Sequence, residues 1–168
     1  MTRSDDVPAQ LVRDLYSARQ LSERPVISFE LFTPKTVEGD RKLVEDTLPE
    51  LIRLKPDYVS VTYGAGGGTR TKTLTLVDLI QKRYGLTAMA HLTCVGHTKS
   101  DIAGILKEAK SLGIRNILAL RGDPPKSAQS YVPHKDGYAY ASNLVCGLKR
   151  VADFEISVAA SVSYTHLT

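Results

Sequence analysis

The sequence contains little cysteine: Cys94 and Cys146 are the only two thiols in 168 residues, and they do not form a C-x-x-C pair. This count excludes a disulfide scaffold and the usual zinc motifs. We expect both cysteines to be small buried thiols. Long hydrophobic runs are also missing. No stretch of about 18 apolar residues is present to form a spanning helix, so no membrane association is expected.

Basic residues outnumber acidic residues by a small margin only. The chain has 22 Lys and Arg residues against 18 Asp and Glu residues, a net charge of +4, and the basic residues are spread along it. This excess is too weak and diffuse to predict a nucleic-acid partner. The acidic start of the chain differs from the basic and then apolar start of a signal peptide, so we expect a cytoplasmic protein.

Five β-rich segments recur at similar intervals, with a helical pattern in every gap between them. The predicted strands are residues 26–31, 58–62, 87–93, 116–120 and 155–160. Strands joined by helices lie parallel, because a parallel return needs a crossover connection and a helix is the usual one. The class is therefore α/β. A doubly wound sheet and a (β/α)8 barrel both fit this spacing, which does not separate them.

Helix start and stop signals support this reading of the gaps. Thr98 and Asp101 form a capping-box-like start, and Gly113 marks the end of the same helix. Gly85 ends the preceding helix in the same way. In the first gap Pro49 removes a backbone donor, so we expect it to kink or split the helix there. Ahead of the first strand, an apolar helical face is predicted to cover the start of the sheet; its residues are Leu11, Leu15 and Ala18.

Barrel enzymes place their chemistry at the carboxyl ends of several strands, and polar residues stand at those ends here. Glu30 alternates with apolar Phe29 and Leu31 on the first strand, so it should point into the interior of the sheet. Burial there would desolvate the carboxylate and favour its protonated form, as a general acid near neutral pH requires. A structural ion pair with an arginine explains the same position equally well.

The second and third strands also end in candidate residues. Thr62 and Tyr63 lead directly into the glycine-rich run 64–68, whose backbone amides could approach a phosphate or a flat ring at a helix N-terminus. The run matches neither G-x-G-x-x-G nor a Walker loop, and a flexible loop is the alternative. His91 shares the interior face of its strand with Thr93, either as a satisfied core residue or as a ligand.

The fourth strand leads into Arg121-Gly122-Asp123-Pro124-Pro125. The two prolines stiffen this loop and hold the Arg and the Asp near the strand end, which suits a pre-organised polar site. No second His or carboxylate stands at metal spacing from His91, so no metal is predicted. The remaining histidines lie in predicted loops or in the tail and add no constellation; they are His97, His134 and His166.

Four motifs follow one another along the chain: Phe29-Glu30-Leu31-Phe32-Thr33-Pro34-Lys35, Val59-Ser60-Val61-Thr62-Tyr63-Gly64-Ala65, Ala90-His91-Leu92-Thr93-Cys94 and Leu120-Arg121-Gly122-Asp123. In this order they closely resemble the methylenetetrahydrofolate reductase family. Residues 140–142 and 154–160 extend the likeness, which runs from about residue 26 to residue 160.

The resemblance implies a (β/α)8 barrel that holds FAD at the carboxyl face of the sheet. It also implies reduction of 5,10-methylenetetrahydrofolate to 5-methyltetrahydrofolate with NADH or NADPH, a step of folate-dependent one-carbon metabolism and methionine biosynthesis. A homo-oligomer is expected for the full-length protein.

The same resemblance implies roles for individual residues. Glu30 matches the family's general acid, which protonates the folate so that its five-membered ring opens to an iminium able to accept hydride. Asp123 matches the residue that contacts both the flavin region and the pterin, where its charge would tune the flavin and orient the substrate. The residues implied in the flavin pocket are Thr62, Tyr63, Ala65, His91, Arg121, Gly122, Asp123 and Ala141.

The resemblance also divides the chain into three parts. Residues 1–25 form an N-terminal helical segment, 26–160 a partial barrel with five of the eight strands, and 161–168 a tail that departs from the family pattern. We expect a truncated barrel, so that the reductase activity belongs to a longer protein. Two alternatives stay open here. One is a non-catalytic partial barrel that self-associates through its open edges, and the other is a flavin-free barrel enzyme that binds phosphate through Arg121 and the glycine-rich run.

Overall fold

The computed structural model describes residues 10–19, 24–63, 70–124, 131–151 and 153–159. Its strands are β1 (Ser28–Leu31), β2 (Tyr58–Val61), β3 (Thr87–Thr93), β4 (Asn116–Leu120) and β5 (Glu155–Val158). Its α-helices are α1 (Val12–Arg19), α2 (Val37–Lys42), α3 (Leu48–Arg53), α4 (Arg70–Tyr84), α5 (Lys99–Ser111) and α6 (Ala141–Val151), and a π-helical turn (Leu43–Thr47) joins α2 to α3.

The strands form one parallel sheet in the order β1-β2-β3-β4-β5. The predicted α/β class is confirmed, and β3 and β4 begin and end where the sequence pattern placed them. β1, β2 and β5 are shorter than predicted. Each strand lies beside its neighbour in the chain, so the described sheet has no reversal of order of the kind that defines a doubly wound fold.

One face of the sheet is apolar and packs against the connecting helices. Leu31, Val61, Ala90 and Ile117 lie side by side in register on this face, and none is more than 4 % exposed. They belong to a single core with apolar residues of α4, α5 and α6. Alternation along each strand therefore directs every second side chain into this core.

The opposite face, called the concave face below, carries the alternate and mostly polar residues. It forms a concavity of about 450 Å³. Val12 and Tyr16 of α1 contribute to its lining. The strand residues that line it are Ser28, Glu30, Tyr58, Ser60, Met89, Leu118, Ser157 and Val158.

Helix α1 lies against the amino ends of the strands on the concave face. The Val12 amide donates to Oδ1 of Asn116 over 2.9 Å, and Nδ2 of Asn116 donates to the carbonyl oxygen of Gln10 over 3.0 Å. Asn116 is fully buried at the first position of β4. The prediction that a helix covers the start of the sheet is confirmed. Leu11, which directly precedes α1, and Val12 are buried, Leu15 is half-buried, and Ala18 is exposed.

The predicted helix ends are confirmed at three positions. The Thr98 amide donates to Oδ2 of Asp101 over 2.9 Å, and the Asp101 amide donates to the Thr98 hydroxyl oxygen over 3.0 Å, which completes a capping box. Gly85 and Gly113 follow α4 and α5 with φ angles of 63° and 71°. Glycine adopts this left-handed conformation without a steric penalty, so both residues end their helices.

The helical segment around Pro49 is split, as predicted. Pro49 lies in the first turn of α3, and the turn that precedes α3 is π-helical. A proline has no amide hydrogen to donate to the preceding turn, so the regular α-helical ladder is interrupted at this point.

The expectation that both cysteines are buried is correct for one of them. Cys94 follows β3 and is 1 % exposed. Cys146 is exposed, because it lies on the solvent side of α6 while Leu144 and Leu148 of that helix face the core. A small thiol can lie on either the core side or the solvent side of a helix, so the sequence pattern did not predict that Cys146 is exposed.

The longest helix in the described ranges, α4, has 15 residues. No helix of the described part combines the length and apolar character needed to cross a membrane.

Candidate active site

The carboxyl ends of β1 and β2 are held together around Thr62. Its amide donates to the carbonyl oxygen of Leu31 over 2.9 Å, and its hydroxyl oxygen accepts from the Thr33 amide over 3.3 Å. The Thr73 hydroxyl group of α4 donates to the carbonyl oxygen of Thr62 over 3.0 Å. A hydroxyl group can donate as well as accept, so Thr62 is fixed at the strand end and equipped to donate to a ligand.

Glu30 and His91 meet on the concave face. Oε2 of Glu30 lies 3.7 Å from Nε2 of His91. Their strands, β1 and β3, are not neighbours, so the pair spans β2, where Ser60 lies beside Glu30 in register. The small side chain of Ser60 leaves room for the contact. Two residues that the sequence placed on separate strand ends are thus brought together.

His91 is buried, and burial lowers its pKa. Its side chain is 6 % exposed. Removal from water disfavours the imidazolium and moves the pKa below the ordinary value of 6.5, although the charge of Glu30 opposes this shift. Within the described residues, Nε2 of His91 and Oγ1 of Thr93 are buried without a hydrogen-bond partner. Buried polar atoms are normally paired, so Oγ1 of Thr93 suits the polar edge of a ligand.

The prediction that Glu30 is buried and desolvated is wrong, because its side chain is 49 % exposed. β1 is an edge strand of the described sheet, with a neighbour on one side only, and the concave face is open above it. The side chain nearest to the Glu30 carboxyl group is His91 and not the arginine that the structural alternative required. The carboxyl group is therefore accessible to a substrate.

Tyr63 contacts His97, a histidine to which the sequence assigned no role. Its hydroxyl oxygen lies 3.0 Å from Nε2 of His97, and the two rings meet edge to face with centroids 5.7 Å apart. The partners are 34 positions apart and lie in different loops, so no short motif contained the pair. The contact joins the end of β2 to the loop after β3 and fixes the Tyr63 ring at the edge of the site.

The loop after β4 approaches the end of β3 closely. Gly122 has a φ angle of 85°, and a Cβ atom there would lie 2.5 Å from Cγ1 of Val95 and 3.0 Å from Cβ of Thr93. Both the backbone conformation and the lack of space therefore require glycine. Asp123, the next residue, is exposed at the same end of the sheet.

Arg121 is held beside the same strand end by a ring and a thiol. Its Cζ atom lies 4.7 Å from the centroid of the Tyr131 ring, and the Cys94 thiol donates to its carbonyl oxygen over 3.4 Å. Burial raises the pKa of the Cys94 thiol and of the Tyr131 hydroxyl group, although the charge of Arg121 opposes both shifts. The sequence analysis did not single out Tyr131, since it belongs to none of the four motifs.

The remaining predicted residues divide into two groups. Ala141 is the first residue of α6 and is half-buried. Ala65 and the glycine-rich run 64–68 lie outside the described residues. In the described ranges, no three His, Cys, Asp or Glu side chains come together in a group that could hold a metal ion.

These features define a class of protein. A parallel sheet in chain order, with helices on one face and polar strand-end side chains on the other, is an α/β fold whose candidate site lies at the carboxyl ends of the strands. The family model for methylenetetrahydrofolate reductase matches residues 15–164. The chain belongs to the methylenetetrahydrofolate reductase family.

Curated relatives from bacteria and a plant show the extent of the similarity. The chain is 44 % identical over 140 residues to the 5,10-methylenetetrahydrofolate reductase of Buchnera aphidicola, a match that covers 83 % of this chain and 46 % of the relative. It is 45 % identical over 135 residues to the Escherichia coli protein of the same name, covering 80 % and 43 % of the two chains. Methylenetetrahydrofolate reductase (NADH) 1 of Zea mays is 39 % identical over 122 residues, with 73 % and 20 % covered. The chain thus matches less than half of the length of each relative.

Proposed function

We propose that the protein to which this chain belongs reduces 5,10-methylenetetrahydrofolate to 5-methyltetrahydrofolate with NADH or NADPH, and that it binds FAD at the carboxyl end of the sheet. The contact of 3.7 Å between Glu30 and His91 carries this proposal, because it places a candidate proton donor on the concave face in a chain of the reductase family. The name of the Zea mays relative, which specifies NADH, supports a nicotinamide as the electron donor.

The residues present fit a flavin. Oγ1 of Thr93 is buried and unpartnered within the described residues, and a flavin ring carries nitrogen and oxygen atoms along its edge that could pair with it, while the His91 ring would line the pocket beside them. Arg121 brings a cation to the same end of the sheet, where it suits the diphosphate of FAD. The hydroxyl group of Thr62 adds a donor. Tyr63, Gly122 and Ala141 would shape the walls of the pocket.

The sheet would form part of a (β/α)8 barrel. Three observations support this: the strands follow chain order, the helices α4, α5 and α6 pack on one face, and α1 covers the amino ends of the strands on the other. The described sheet has five strands, and a complete barrel needs eight. The share of the relatives that the chain matches agrees with a partial barrel.

Glu30 would act as the general acid. Its half-exposed side chain lies on the concave face beside His91, so one carboxyl oxygen can hold a proton within reach of a folate bound on that face. Donation of that proton to the substrate nitrogen would open the five-membered ring for reduction. Bound FAD would supply the hydride chemistry, between the nicotinamide and the folate.

Asp123 would orient the pterin. It is exposed directly after Gly122, whose close packing against Thr93 and Val95 fixes the start of the loop. A carboxylate at this place can accept hydrogen bonds from the amino and N–H groups of a pterin. The cytoplasmic location and the homo-oligomer stay predictions.

The test separates the two half-reactions in protein expressed from its own gene. Glu30→Gln removes the proton but keeps the shape of the side chain. We expect reduction of the bound flavin by the nicotinamide to proceed at close to the wild-type rate, while reduction of the folate slows by about 10²- to 10⁴-fold. Stopped-flow absorbance of the flavin measures both steps.

Glu50→Gln is the matched control. Glu50 lies on α3, exposed and paired with Arg53 at 2.7 Å, away from the concave face. This variant should match the wild type in both half-reactions. An equal loss of both steps in Glu30→Gln would refute the general-acid assignment. A wild-type protein that binds no FAD and reduces no folate would refute the proposed function itself.

A further inference from the structure

We propose that His91 is a positioning residue for Glu30: its Nε2–H group donates to Oε2, which leaves Oε1 to carry the proton that is given to the substrate. This inference rests on the proposed function, since it deepens the role of Glu30 there. It adds to His91 a role that the flavin pocket alone does not give.

The geometry of the sheet brings these two side chains together. Neighbouring strands lie about 4.8 Å apart, so β1 and β3 are separated by roughly 9.6 Å. Glu30, Ser60 and Met89 are level in register, and His91 is two residues further along β3. Both long side chains lean over β2, where Ser60 is too small to keep them apart. The contact depends on this choice of residue on the middle strand.

Nε2 of His91 has one candidate partner in the described structure. It is buried and otherwise unpaired, and Oε2 of Glu30 lies 3.7 Å away. A buried N–H group without an acceptor is costly. Catalytic hydrogen bonds are often long before substrate binds and tighten in the complex. Binding of a substrate beside Glu30 would shorten this contact to a hydrogen bond.

The charges around His91 agree with a neutral imidazole. Burial lowers the pKa of His91, and Glu30 is the one charged group among those described that acts against this shift. A neutral donor does not drive Glu30 to the carboxylate form, as an imidazolium would. Other titratable groups on the elements that pack around the concave face include Arg13, Asp14 and Tyr16 on α1, Tyr58 on β2, Arg121 and Asp123 after β4, and Glu155 on β5.

The hydrogen bond would strengthen during the reaction. As the proton leaves Oε1 for the folate nitrogen, the electron pair of the O–H bond stays on Glu30 and the carboxyl group becomes a carboxylate. A hydrogen bond to an ionised acceptor is about twice as strong as one between neutral groups. His91 would therefore stabilise the product of proton transfer more than its reactant, and solvent would return the proton afterwards.

The test compares His91→Phe with His91→Gln across pH. Phenylalanine removes the donor, while the glutamine amide can replace Nε2–H. In the phenylalanine variant we expect folate reduction to slow by about 10- to 100-fold. The limb of its rate profile at high pH should move to higher pH by about one unit, because the carboxylate of Glu30 is no longer stabilised. His91→Gln should restore most of the rate and the wild-type limb.

Two further variants complete the design. His134→Gln makes the same change at an exposed histidine in a loop and should keep the wild-type limb. Ser60→Val places bulk between Glu30 and His91 and should move the limb in the same direction as His91→Phe, which keeps the test available if the phenylalanine variant does not fold. If the high-pH limb of the rate profile stays at its wild-type position in His91→Phe, the proposal is overturned, even though the wild type reduces folate. The same holds for Ser60→Val if His91→Phe does not fold. Absence of folate reduction in the wild type would instead refute the proposed function.

Discussion

The hydroxyl group of Tyr63 lies 3.0 Å from Nε2 of His97 and ties the end of β2 to the loop after β3. Removal of this hydroxyl in Tyr63→Phe should lower the free energy of unfolding by about 1 kcal/mol, since a hydrogen bond is lost. Urea unfolding followed by circular dichroism measures the change.

Tyr84→Phe is a matched control for that measurement. The hydroxyl group of Tyr84 is buried and has no hydrogen-bond partner within the described residues. Its removal relieves an unpaired polar group and should leave stability unchanged or raise it. Equal losses in the two variants would contradict the role given to the contact between Tyr63 and His97.

Gly122→Ala should be costly for two separate reasons. Its φ angle of 85° disfavours any side chain, and the new Cβ would lie 2.5 Å from Val95. Gly96→Ala isolates the first cost, because Gly96 has a φ angle of 72° with open space around it. We expect a loss of about 1–2 kcal/mol for Gly96→Ala and a further loss of about 1–3 kcal/mol for Gly122→Ala. Identical unfolding midpoints for the two variants would show that the loop after β4 does not pack on β3.

His91 should make the protein less stable in mild acid. Its pKa is lower in the folded state than the ordinary value of 6.5, so the unfolded chain binds the proton more readily. The stability contribution is complete above about pH 6.5 and is lost as the pH falls toward the folded-state pKa, by at most about 1.4 kcal/mol per pH unit. Unfolding free energies of wild type and His91→Gln, measured from pH 7.5 to 5, should therefore converge. Parallel curves would mean that His91 is not buried.

The two thiols should react at very different rates. Cys146 is exposed, whereas Cys94 is 1 % exposed and burial raises the pKa of its thiol. The thiolate is the reactive form, so a disulfide reagent should modify Cys146 first and Cys94 only after unfolding. Cys146→Ser should abolish the fast phase of the absorbance change. A fast phase that persists in this variant would contradict the burial of Cys94.

The sequence predicted the face that Glu30 and His91 occupy, because alternation along a strand has a period of two. Glu30 and His91 were each assigned to the interior face, and both lie on the concave face. The contact between Glu30 and His91 could not be predicted from alternation along the strands. It depends on the register of three strands and on the size of Ser60 between them.

The solvent exposure of a side chain was harder to predict than the face of the sheet to which it points. Glu30 was expected to be desolvated, but alternation does not say what covers a face, and the edge strand β1 leaves the side chain 49 % exposed. The pairing of Tyr63 with His97 and the position of Tyr131 over Arg121 arise where loops distant in sequence meet. Local sequence patterns do not predict contacts between distant loops, so the sequence did not indicate these two contacts.

The binding of FAD at the carboxyl end of this sheet is the central claim, and a visible absorption spectrum tests it most directly. Protein expressed from its own gene would be mixed with FAD and separated from unbound flavin by gel filtration. We predict that the flavin bands stay with the protein, and that Gly122→Ala weakens their retention because the loop after β4 is displaced. A folded protein that emerges colourless would contradict the account.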